Sequence, residues 1–92
     1  MEVLDETEVD RRLGDGPWQR RGREIVRELE FPGFAAAVAF VEEVAEAAES
    51  ANHHPDILVH SYNRVRLTLS THSAGGITDA DLALAATIDG LT

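Results

Sequence analysis

Glu24-Ile25-Val26-Arg27-Glu28-Leu29-Glu30-Phe31-Pro32-Gly33-Phe34 holds the change of period on which the fold turns. Up to Phe31, residues Ile25, Leu29 and Phe31 share one parity with Arg27 between them, while Glu28 and Glu30 take the other. That alternation predicts a strand with one wet face. Pro32-Gly33 breaks it. From Phe34 the apolar spacing becomes Phe34, Val38, Val41, Ala45, Ala48, the i, i+4, i+7, i+11, i+14 of a helix, with Phe40 and Val44 widening the stripe and Glu42, Glu43, Glu46 and Glu49 facing water.

Upstream, Trp18 to Arg20 is predicted to pair with Glu24 to Phe31 in a hairpin turning at Arg21-Gly22. A short helix from about Thr7 to Leu13 precedes it, with Thr7 and Asp10 as a capping box and Gly14 and Gly16 as its stop. Downstream, Pro55 ends the long helix and forces His54 into extended conformation by the clash with the proline ring. Ile57 to Tyr62 and Arg64 to Thr71 form a second strand pair, joined tightly at Asn63. Val65, Leu67, Leu69 and Thr71 face one way and Arg64, Arg66, Thr68 and Ser70 the other. Gly75-Gly76 marks a turn. Thr78 opens a last helix with Asp81 completing a capping box, Ile77 and Leu82 as a hydrophobic staple, and Leu84, Ile88 and Leu91 inside. The predicted architecture is α+β: a four-stranded antiparallel sheet with helices packed on one face, as a single domain over residues 1–92.

Composition narrows the function. The 92 residues carry 17 Asp and Glu against 8 Arg and no Lys, a formal charge of −9, and 43% of them are hydrophobic. A chain of this size has a modest core, which makes a homo-oligomer, dimer or tetramer, a natural way to cover more apolar surface. The absence of cysteine removes disulfides, thiolate metal sites and a Cys nucleophile, and fits a reducing cytoplasm. The absence of lysine removes Schiff-base chemistry and a phosphate-loop lysine. Clustered Lys and Arg are what nucleic-acid binding needs, and the six arginines before Pro32 are interleaved with nine acids, so no nucleic-acid partner is expected. The start is neither a basic leader nor a transit peptide, and no apolar run approaches about 18 residues, so no membrane partner is expected and the cytoplasm is the expected location.

Chemistry concentrates at strand–loop junctions. Histidine is the side chain whose ordinary pKa lies nearest neutrality, and His53, His54 and His72 all lie where strands meet loops. A metal reading fails on geometry, because adjacent residues of an extended chain point to opposite sides and no His-x-x-x-His spacing or thiolate supports one. A triad from Ser70 or Ser73, His72 and Asp79 or Asp81 lacks the Gly-x-Ser-x-Gly elbow. Asp81 has a structural use as a helix cap worth about 0.5–2 kcal/mol, and Glu49 as one more acid on a wet helix face. Trp18 and Tyr62 serve as packing or as the floor of a flat ligand site. Gly75-Gly76 is a turn, without the lysine and glycine pattern of a phosphate cradle.

Taken together, Glu49-Ser-Ala-Asn-His53-His54-Pro55-Asp56, then Tyr62, then Leu69-Ser70-Thr71-His72, then Gly75-Gly76-Ile77-Thr78-Asp79-Ala80-Asp81 resemble the signature of the pterin-4a-carbinolamine dehydratase family. The resemblance extends to Phe31-Pro32-Gly33-Phe34, Phe40-Val41 and Trp18, and so covers nearly the whole chain. It implies removal of water from 4a-hydroxytetrahydropterin to give quinonoid dihydropterin, by general acid–base steps and with no cofactor or metal. It implies His53, His54 and His72 as the catalytic imidazoles. Glu49 and Asp81 would orient them, and Trp18 and Tyr62 would lie near the pterin or support its pocket. Which imidazole is acid and which is base stays open. His60 falls outside the signature and reads as a surface strand residue. The resemblance also implies a homodimer or homotetramer. Because relatives include non-enzymatic binding and assembly proteins, a protein-binding role on the same fold is the alternative.

Overall fold

The computed structural model describes residues 1–92. Its elements are α1 (Glu6–Leu13), β1 (Gln19–Arg21), β2 (Glu24–Glu30), α2 (Phe34–Ala51), β3 (Asp56–His60), β4 (Arg64–Leu69) and α3 (Asp79–Asp89). The strands form one antiparallel sheet in the order β1-β2-β4-β3, the α+β arrangement predicted from the change of period at Pro32. Register follows parity. Ile25 pairs with Leu69 and Leu29 with Val65 on the inner face, while Glu28 pairs with Arg66 and Glu30 with Arg64 on the outer one. On that outer face Arg66 and His60 both bond Glu28, and Arg64 lies 3.3 Å from Glu30. Burial acts to raise the Glu28 pKa, but the hydrogen bonds from Arg66 and His60 prevail and hold it below its ordinary value.

One apolar cluster joins the inner face to the helices, with Ile25, Val65, Leu67 and Leu69 from the sheet meeting Val44 of α2 and Leu84 and Ile88 of α3. Truncating such a side chain, for example Leu67→Ala at a fully buried position, costs about 2–5 kcal/mol. Trp18 belongs to the same cluster, and its indole Nε1 donates to Asp89 Oδ1 at 2.8 Å. Arg27, on the inner parity of β2, donates to the same carboxylate oxygen, so one acid at the end of α3 ties together the sheet and the chain that enters it.

Several details differ from the sequence prediction, among them β1, which starts at Gln19, and β2, which ends at Glu30. The N-cap of α1 is Asp5, whose Oδ1 accepts from Glu8 N at 2.8 Å, and Thr7 lies within the helix. A short carboxylate in extended conformation directly before Glu6 satisfies the first-turn donors sooner than Thr7 can. The first hairpin turns at Gly22-Arg23, because Gly22 supplies the positive φ of 62° that the turn needs. The buried face of α2 is Ala37, Phe40, Val44 and Ala48, so Phe34 and Ala45 are exposed. The two large residues with inward reach, Phe40 and Val44, set the helix rotation, and Phe31 packs on Phe40 with ring centroids 4.9 Å apart. Finally, β3 runs from Asp56 to His60, and β4 ends at Leu69. Thr71 makes an isolated bridge to Gly76 instead. The N-terminal segment covers this bridge: Leu4 N donates to Ile77 O, and a side chain at Gly76 would strike Val3 Cγ1 at 2.9 Å.

Candidate active site

The two adjacent histidines are placed by the way α2 ends. Asn52 adopts the left-handed conformation (φ 50°, ψ 42°) that asparagine tolerates at a helix C-terminus, and the next amide, His53 N, bonds back to Ala48 O at 3.1 Å. His53 therefore leaves the helix at a fixed angle, and Pro55 carries the chain extended into β3. The His53 side chain is mostly buried, with Nε2 2.5 Å from Asp81 Oδ1. His54 points the other way, as neighbours in extended chain must, and its exposed ring meets Glu49 of the last helical turn at 2.5 Å.

Asp81 sits at the third position of α3 and is fully buried. Its Oδ2 accepts from the Thr78 backbone N at 2.9 Å, which is the capping box, and from Thr71 Oγ1 at 2.8 Å. Thr71 and Thr78 also bond each other through their hydroxyls at 2.8 Å. Proton counting orders this network. The single Thr71 hydroxyl proton goes to the carboxylate, so the Thr78 hydroxyl must donate to Thr71, and its own oxygen accepts from Ala80 N. A carboxylate that accepts on both oxygens takes the Nε2–H of His53, which leaves Nδ1 of the neutral ring as a proton acceptor.

Asp81 thus joins His53 after α2 and Thr71 after β4 to the start of α3. His72 follows Thr71 in a loop closed by Gly75, whose φ of 83° lets its amide bond both Thr71 O and His72 O. The His72 imidazole is exposed and makes no hydrogen bond within the chain. It lines a depression of about 290 Å³ with Arg21, Arg23, Glu24, Ser70 and Gly75. A larger depression of about 510 Å³, between Val3–Glu6, the β1–β2 turn and Ala74–Ile77, holds no imidazole.

The remaining predicted site residues lie elsewhere in this chain. Tyr62 is exposed in the β3–β4 turn. That is the far end of the hairpin from Asp56, about 13 Å along the strand. Trp18 is buried against Asp89, about 12 Å along α3 from Asp81, and packs the core. Thr71 and Thr78 went unmarked in the sequence as site residues. The signal for Thr71 was a hydroxyl at a core-facing parity directly before His72. No three His, Asp or Glu side chains are grouped for a metal ion.

In chemical terms this is an α+β domain that carries imidazoles at its strand–loop junctions, one of them held by a buried carboxylate. The family model described as pterin 4 alpha carbinolamine dehydratase matches residues 2–91. A protein of Chloroflexus aurantiacus provisionally named pterin-4-alpha-carbinolamine dehydratase is 52% identical over 90 residues, covering 97% of this chain and 96% of its own. One of Acidobacterium capsulatum with the same provisional name is 51% identical over 92 residues, covering 99% of each. A crystal structure of a transcriptional coactivator/pterin dehydratase from Brucella melitensis superposes with a TM-score of 0.86 at 34% identity over 97% of both chains. A pterin dehydratase-like protein identified as a RuBisCO assembly factor in the alpha-carboxysome superposes at 0.69 with 26% identity, over 84% of this chain and 90% of that one. The chain belongs to the pterin-4a-carbinolamine dehydratase family.

Proposed function

We propose that the protein dehydrates 4a-hydroxytetrahydropterin to quinonoid dihydropterin, using His53, His54 and His72 as its acid–base groups. The reaction needs two proton transfers. A protonated imidazole delivers a proton to the C4a hydroxyl, the C–O bond breaks and water departs. A neutral imidazole takes a ring N–H proton, and the electron pair left on nitrogen forms the new double bond. Each such step contributes about 10²–10⁴ in rate. The observation that carries this reading is the Asp81 carboxylate, which holds His53 in one tautomer and ties it to Thr71, the residue before His72. Glu49 orients His54 from the helix end. The protein acts as a homo-oligomer in the cytoplasm, a small core being served by partner copies.

The test is dehydration of the carbinolamine measured above its spontaneous rate. His53→Ala, His54→Ala and His72→Ala should each slow it, and unchanged rates in all three variants would refute the mechanism. The likeness to the assembly factor favours a second reading, a protein-binding member of the same fold. Pterin binding separates the two: an enzyme binds one pterin per subunit, an assembly protein none.

A further inference from the structure

Six of the eight arginines are held in ion pairs: Arg11, Arg12, Arg20, Arg27, Arg64 and Arg66 each lie within 4 Å of a carboxylate. The two that are not, Arg21 and Arg23, both line the depression that holds His72. In a chain of net charge −9, the only unpaired guanidinium groups are therefore gathered at one of the candidate catalytic imidazoles. The depression has no apolar lining residue, so it cannot hold a flat ring by burial, whereas it can hold a charged group. Its one acid is Glu24, directly across the hairpin from Arg21 in the register, which offsets part of one positive charge without pairing to it. Arg23 is anchored as well: its carbonyl accepts from Ser70 Oγ at 2.7 Å, which fixes the hairpin turn against the strand end that leads into His72.

We propose that this depression is a subsite for an anionic substituent of the substrate, a phosphorylated side chain on the carbinolamine pterin, with Arg21 and Arg23 as its specificity-determining residues. This rests on the dehydratase reading, since it takes His72 to lie at the reacting ring. Guanidinium groups suit phosphate because their planar donors bind two oxygens at once. The subsite lies beside His72, where the β1–β2 turn meets the segment that follows β4.

The experiment compares kcat/KM of the full chain for two carbinolamines with the same ring and side chain, one neutral and one phosphorylated. The expected result is a preference of about tenfold or more for the phosphorylated substrate, the scale of one charge-assisted contact. That ratio should fall towards one in the Arg21→Gln/Arg23→Gln double variant, with its melting temperature showing that it is folded. It should rise in Glu24→Gln, which removes the opposing charge. A merely structural role for these side chains would not move the ratio in opposite directions. A ratio near one in the parent, or one that survives the double variant, overturns the proposal. Competitive inhibition of the neutral substrate by inorganic phosphate, without any gain for the phosphorylated one, also overturns it, because the depression then holds a free anion. Failure to turn over either substrate above background instead overturns the dehydratase reading, and the subsite with it.

Discussion

Thr71→Val removes one oxygen and keeps the shape of the side chain, which makes it a clean probe of the network under His53. In the parent, the Thr71 hydroxyl donates to a fully buried carboxylate and accepts from Thr78, itself fully buried. Valine takes away a hydrogen bond to a charged group, about 1.5–3 kcal/mol, and leaves the Thr78 hydroxyl proton without an acceptor, about 1–3 kcal/mol more. The added methyl returns about 0.8 kcal/mol of burial. A net loss of about 2–5 kcal/mol follows, a large share of the 5–15 kcal/mol that typically holds a domain together, so melting should fall by roughly 10 °C or more. Thr71→Ser keeps the hydroxyl and gives up only a methyl, about 1 kcal/mol. The assay is thermal and urea unfolding of parent, Val and Ser forms at one protein concentration, since association would add its own stabilisation. If the Val form unfolds no earlier than the Ser form, the hydroxyl does not brace Asp81 and the proton ordering derived above is wrong.

Three further outcomes are expected. Glu8, held to a pKa of about 2 by hydrogen bonds from Arg11 and then Arg12, is depressed below its unfolded value. Its stabilisation is therefore complete above the unfolded carboxylate range near pH 4–5 and is lost as pH falls towards about 2, and Glu8→Gln should flatten that acid limb in a low-salt titration of stability. Trp18→Phe deletes the indole donor to Asp89 and should cost about 1 kcal/mol or more in urea unfolding while leaving pterin KM alone; a raised KM would instead place Trp18 beside the ligand. Gly75→Ala meets no neighbour but forces a side chain to φ 83°, a strain of about 1–2 kcal/mol. Turnover should drop with it because the loop carrying His72 must shift, and a variant equal to the parent in both stability and rate would show the loop to be slack.

The sheet was readable because its parity is unambiguous: at Val65, Leu67 and Leu69 every inward residue is apolar and every outward one polar. The rotation of α2 was not, since large apolar residues lie on two overlapping stripes, Phe34, Val38 and Val41 on one and Phe40 and Val44 on the other, with alanines around both, and only packing chose the second. Turn positions escaped by one residue because which of Arg21, Gly22 and Arg23 takes the positive φ depends on a register that the second strand pair sets. At the site, the capping box at Thr78 and Asp81 was legible from local spacing. The second use of Asp81, as the partner of His53, was not a local property: it depends on how α2 and α3 pack. The distances of Tyr62 and Trp18 from Asp81 depend likewise on strand length and helix direction, neither of which a signature states.

Asp81 does two jobs with one carboxylate: it starts a helix and it steadies a ring. A descendant that gave up turnover would still need the first, so the acid would persist by folding pressure alone while His53 was free to drift. Among relatives, then, keeping the aspartate certifies only an intact scaffold.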